Sequence, residues 1–249
     1  MSETKFNFPT ETIELPSKGL VYPEDHPLRS GTIEMKYMTA KEEDILSNAN
    51  NIKNGTSLDK LMESLTMGKI NVKDMVPGDK NALFIAARVL GYGSEYSFMY
   101  GDSEETAKQY DVDLSTIENK DFDTSHLTEE GYGVFTLPKS ETEVTFKYIT
   151  EVDQDKIDKD VKAAEKKHGF KGGNVTTRLK HQIVSVDGNE DKAQIADFID
   201  NYMLAQDSLA LREFIKESSP DIDLTTTDED GNEIEVPITI KFFYPHLGS

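Results

Sequence analysis

Several stretches of the chain alternate apolar and polar residues with period two, and each predicts a β-strand. Thr32–Tyr37 places Ile33, Met35 and Tyr37 on one face, after a Ser30-Gly31 turn. Tyr132–Leu137 and Glu143–Ile149 flank the turn residues Pro138–Thr142, which predicts a hairpin with Val144, Phe146 and Tyr148 on one face. Tyr96–Tyr100 reads as a further strand. Glu233–Pro237 and Ile238–Tyr244 read as closing strands, after the turn-rich segment Asp228–Asn232. In Phe242-Phe243-Tyr244-Pro245, strand geometry turns one phenylalanine inward and leaves the other to cover a second layer or a partner.

Between these runs the spacing changes to that of a helix. Thr39-Ala40-Lys41-Glu42 is a capping box, with Glu42 positioned to reach back to the start of the helix. Leu58, Leu61, Met62 and Leu65 recur at i, i+3, i+4 and i+7. A third helix starts at Pro77-Gly78-Asp79, carries Leu83, Ala87 and Leu90 on one stripe, and is expected to stop at Gly91. Ile157, Val161 and Ala164 mark a fourth, opening near Thr150–Asp153 and closing near Gly169. Ile195, Phe198, Ile199 and Tyr202 mark a fifth, and Leu209, Leu211, Phe214 and Ile215 a sixth over Ser208–Glu217. The pattern predicts an α+β protein. Residues 1–150 form a β-rich α+β N-terminal domain, and residues 151–249 form a helical domain closed by a terminal β-hairpin.

Composition narrows what such a fold does. The 249 residues hold 27 Lys plus Arg against 47 Asp plus Glu, a net charge of −20. Duplex nucleic acid needs a basic face, so the balance argues against nucleic-acid binding. The absence of cysteine excludes disulfides, a thiolate nucleophile and thiolate-held zinc or iron–sulfur centres. The first thirty residues contain no apolar core of signal-peptide length, and the longest apolar run, Ala82–Ala87, is far short of the roughly 20 residues that span a bilayer. These features predict no membrane partner and a place in a cytoplasm. The glycosylation-type triplets Asn54-Gly55-Thr56 and Asn174-Val175-Thr176 then read as chance matches.

The charge is also uneven. Lys162–His181 carries six cations against Glu165, a balance of +5, whereas Asp102–Asp123 sums to −6 and Glu217–Glu235 holds eight acids and no base. Solvated faces account for most such runs. The sharper reading is a polar surface on which the basic segment meets an acidic partner, with Lys166, Lys167, Lys171 and Arg178 as the partner-binding residues.

The sequence offers no recognisable pattern of catalytic residues. His26, His126, His168, His181 and His246 have no ligand spacing, Gly91-Tyr92-Gly93 lacks the third glycine of a dinucleotide fingerprint, and Gly68-Lys69 lacks the upstream glycine of a phosphate loop. An EF-hand register on Gly231 would put Thr226, Asp228 and Asp230 at ligand positions, but Pro237 falls where the bidentate acid must stand. A hairpin turn is the better reading. No catalytic residue, cofactor or metal site is nominated.

Several residue strings taken together resemble a known family. Leu15–Pro23 is followed by Gly31–Met35 and by Met38–Leu46, an order similar to the opening of the baseplate hub assembly proteins of T4-type tailed bacteriophages. The likeness continues through Asn54-Gly55-Thr56 and Leu58–Leu61, Ala87-Arg88 with Gly91-Tyr92-Gly93, Ile183–Gly188, Ser208–Arg212 and Phe242–Pro245. The resemblance implies a non-enzymatic viral factor that helps build the baseplate hub of a contractile tail. Its partners would be phage hub or tail proteins, in the host cytoplasm during virion assembly. Some relatives instead imply a permanent structural subunit, resident in the virion's tail baseplate. CxxC pairs expected in relatives, after Tyr100 and at Asp228–Asn232, have no counterpart in this cysteine-free chain, so no zinc site carries over.

Overall fold

A computed structural model describes residues 9–101, 107–168, 174–228 and 231–243. Strands β1 (Thr10–Glu14) and β2 (Thr32–Lys36) pair antiparallel, with Ile13 opposite Ile33. The predicted face of β2 is the inner one, since Ile33 and Met35 are buried. Four helices follow: α1 (Ala40–Ser47), α2 (Ala49–Asn54), α3 (Ser57–Leu65) and α4 (Pro77–Tyr92). Glu42 closes the capping box, accepting the Thr39 N–H at 2.9 Å. Leu61, Met62 and Leu65 form the buried stripe of α3.

The third predicted helix runs past its expected stop. Gly91 stays helical and α4 ends at Gly93, which takes a positive φ of 86°. A Cβ at Gly91 would lie 2.6 Å from Met38 Sδ, so this glycine serves close packing against Met38.

Strands β3 (Glu95–Tyr100) and β4 (Lys108–Asp113) form an antiparallel pair that turns Tyr96 and Phe98 inward. The next hairpin, β5 (Gly133–Thr136) and β6 (Glu143–Phe146), has the turn that the sequence predicts. Helices α5 (Glu151–His168) and α6 (Asn174–Gln182) then leave the sheet and return to it, because β7 (Ile183–Val186) pairs with β6. The resulting sheet has the order β5-β6-β7 and joins strands from both sides of residue 150.

Helix α7 (Lys192–Asp197) covers only part of the predicted fifth helix. It widens into a π-type turn over Phe198–Tyr202, sealed by Met203 N–H donating to the Phe198 carbonyl at 2.8 Å. The wider turn swings Tyr202 off the apolar stripe, leaving it 66 % exposed. Helix α8 (Ala205–Glu217) ends before Pro220 as expected, although Leu209 faces outward.

The chain closes with the short hairpin β8 (Thr225–Thr227) and β9 (Glu233–Glu235), so the terminal hairpin forms across Asp228–Asn232. The predicted strand after Pro237 does not form. Ile240–Phe243 is a 3₁₀ turn instead, and both Phe242 and Phe243 are fully buried. Three residues per turn separate successive side chains by about 120°, so both rings can face the core, which a strand forbids. Phe242 meets the Tyr96 ring at 4.7 Å and Phe243 meets Phe84 at 6.2 Å, both edge-on. Neither ring is left for a docking edge. One hydrophobic cluster runs from Leu15 to Phe243 and includes Leu83, Phe146 and Leu211.

Candidate partner-docking cleft

Helix α4 starts with Pro77 at its first position, where the missing N–H costs nothing. The segment after α8 lies directly on this helix start. A Cβ at Gly78 would stand 2.0 Å from the Pro220 carbonyl oxygen, so only glycine permits the contact. On the far side, Tyr148 follows β6 and ties it to the end of α8. Its hydroxyl donates to the Ser218 carbonyl at 2.9 Å and lies 2.8 Å from His126 Nε2. Burial raises the Tyr148 pKa to about 12, so the phenol stays protonated as a donor.

These contacts leave a cleft of about 520 Å³ between the start of α4, the end of α8, and α6. Val76, Pro77, Ile149, Ile215 and Pro220 supply its apolar wall, and Arg178, Arg212 and Lys216 line it with positive charge. Asp221 is the single carboxylate in the lining; its Oδ1 accepts from Asn81 Nδ2 at 3.2 Å and from the Ile222 N–H at 2.9 Å. Just before α8 and in its first half, three apolar side chains are exposed. Tyr202, Leu204 and Leu209 are each about half exposed or more, and Leu209, Arg212 and Lys216 follow one another along the helix at i, i+3 and i+7.

The structure distributes the four residues nominated from sequence. Arg178 is half-buried on α6, donates Nη1 to Gln154 Oε1 at 2.7 Å, and lines the cleft. Lys166 is exposed on α5, twelve residues beyond Gln154, or about 18 Å along the helix. Lys167 also belongs to α5, and Lys171 lies outside the described residues. Lys166 and Arg178 therefore do not converge. Arg212 and Lys216 were missed from sequence. The available signal was an i, i+4 pair of like charges, which repel on a helix, in a chain with a large excess of acids.

Some cations elsewhere are paired internally. Lys80 is held between Asp59 and Glu151, and Lys73 lies 2.9 Å from Glu151. Among the described residues no group of three metal-ligating side chains converges, and no helix is long and apolar enough to cross a membrane.

The model of one family, described as T4 bacteriophage base plate protein, matches residues 9–244. The chain belongs to that family. Comparisons with curated proteins and with solved structures give no match. In this baseplate protein the cleft brings an apolar wall and three cations together.

Proposed function

We propose that the protein is a non-enzymatic tail-assembly factor that promotes assembly of the baseplate hub by binding hub proteins in the host cytoplasm. The family match over residues 9–244 supports a baseplate role. What supports the finer reading is the cationic cleft at the end of α8, together with Tyr202, Leu204 and Leu209, which stand exposed just before and in the first half of that helix. Such a surface is built for contact, and its apolar part is small enough for a free monomer to remain soluble. A charge of −20 opposes self-association while the factor waits for its partner.

Quantitative mass spectrometry of purified phage beside infected-cell lysate tests this role. Capture of hub proteins by the tagged chain from lysate, with its absence from virions, is the expected result. A fixed copy number in virions would replace the assembly factor with a permanent structural subunit, which the family description equally accommodates.

A further inference from the structure

We infer that the cleft between α4, α6 and α8 seats an acidic segment of a partner protein, in which Asp or Glu carboxylates alternate with apolar side chains. This rests on the assembly role and names the chemistry of the contact.

The cations of this chain differ in whether a carboxylate holds them. In a chain with 47 acids and 27 bases, Lys36, Lys69, Lys73, Lys80, Lys147, Lys156 and Lys180 each pair with a carboxylate among the described residues. Arg178, Arg212 and Lys216 line one cavity, and none of the three forms an ion pair among the described residues. Two of them are arginines, whose planar guanidinium matches a carboxylate with two parallel hydrogen bonds. Arg29 and Arg88 direct their donors to backbone carbonyls inside the protein. Arg212, in contrast, donates only Nε, to the Ser208 carbonyl of its own helix, and keeps both Nη groups for another acceptor.

Two further features set the kind of occupant. The apolar wall formed by Val76, Pro77, Ile149, Ile215 and Pro220 rewards side chains without charge, so a bare anion would leave it wet. Asp221 lines the cleft and Glu217 and Asp223 flank its residues along the chain, so a short segment with few charges suits the site better than a long polyanion. A short peptide with both carboxylates and apolar groups satisfies both constraints.

Fluorescence anisotropy on the full chain tests this with a labelled octapeptide of alternating Asp and Leu. The comparison probes are alternating Ser and Leu, and a single-stranded oligonucleotide of the same length. The Asp–Leu peptide is expected to bind about tenfold more tightly than the Ser–Leu peptide, and to weaken as salt rises. The doubly substituted Arg212→Glu, Lys216→Glu protein should lose about tenfold or more in affinity, with its circular dichroism spectrum unchanged. Arg178→Gln should lose less, because its neutral partner Gln154 already engages one nitrogen. Equal binding of the Ser–Leu peptide, no binding of the Asp–Leu peptide, undiminished binding by the folded double variant, or tighter binding of the oligonucleotide would each overturn the inference. Capture from infected lysate separates the two readings. Equal recovery of hub proteins by parent and double variant sinks the cleft and spares the assembly role. Failure of the parent to recover any baseplate protein sinks the assembly role, and the peptide titration still decides the cleft.

Discussion

The first turn of α4 faces two different surroundings. On its inner side Asp79 is fully buried and accepts three hydrogen bonds, from Ser17 N–H at 2.9 Å and from the Ser17 and Tyr22 hydroxyls at 2.6 Å each. The next residue, Lys80, is held by Asp59 and Glu151. On its other side Pro77 and Gly78 border a cleft whose three cations have no carboxylate bound to them among the described residues. The inner groups tie the loop after β1 to the helices and serve cohesion, while Arg212 and Lys216 in the cleft hold no carboxylate of the fold among the described residues. One helix thus separates charge that holds the fold from charge left available to a partner.

The strongest way to break that contrast is Asp79→Ala. It leaves the Ser17 amide and two hydroxyls without their acceptor in a dry site, and should cost about 4 kcal/mol, or about 12 °C in melting temperature by calorimetry. Gly78→Ala attacks the boundary itself. The new methyl meets the Pro220 carbonyl, and a loss of about 3 kcal/mol is expected in denaturant titration.

Acid sharpens the inner side further. Burial works against the charge on Glu42, yet hydrogen bonds from Lys36, Thr39 and Ser64 outweigh it and hold its pKa at about 2, below the ordinary 4.5. A folded value below the unfolded one gives stability that is fully present above about pH 4.5 and lost as pH falls towards 2. Glu42→Gln should therefore flatten the decline of the denaturation midpoint over that window. The smallest effect belongs to the cleft. Arg212→Glu with Lys216→Glu should change unfolding free energy by only about 0.5 kcal/mol, because no folded carboxylate loses a partner. A loss as large as that of Asp79→Ala would make these cations structural and erase the contrast.

The two sides were not equally legible in the sequence. Periodicity located β2, the β5–β6 hairpin, α3 and α5, since each buries one regular face. It missed β1, β4 and β7. β1 is almost wholly polar, β4 turns only Tyr110 and Val112 towards the core, and β7 exists because β6 lies beside it, a neighbour that one dimension does not show. It also missed α6, whose Val175, Thr176 and Thr177 are weak helix formers and which is secured by buried Leu179 and by Arg178 on Gln154. For the site, Arg178 was legible as part of a basic run. Arg212 and Lys216 were hidden within an ordinary amphipathic helix, because their meeting with Arg178 is made by tertiary packing alone.

The pairing of β6 with β7 has a consequence for how such a protein can change over generations. Residues 147–182 depart from the sheet and rejoin it at one place: Lys147 N–H donates to the Gln182 carbonyl at 2.9 Å, and Phe146 stands opposite Ile183. The helical excursion is thus sutured at its base, and turns added to or removed from its outer end leave the sheet's register untouched. Arg178 rides near the sutured end, so a lineage can remodel the outer reach of this arm while the floor of the cleft is inherited intact.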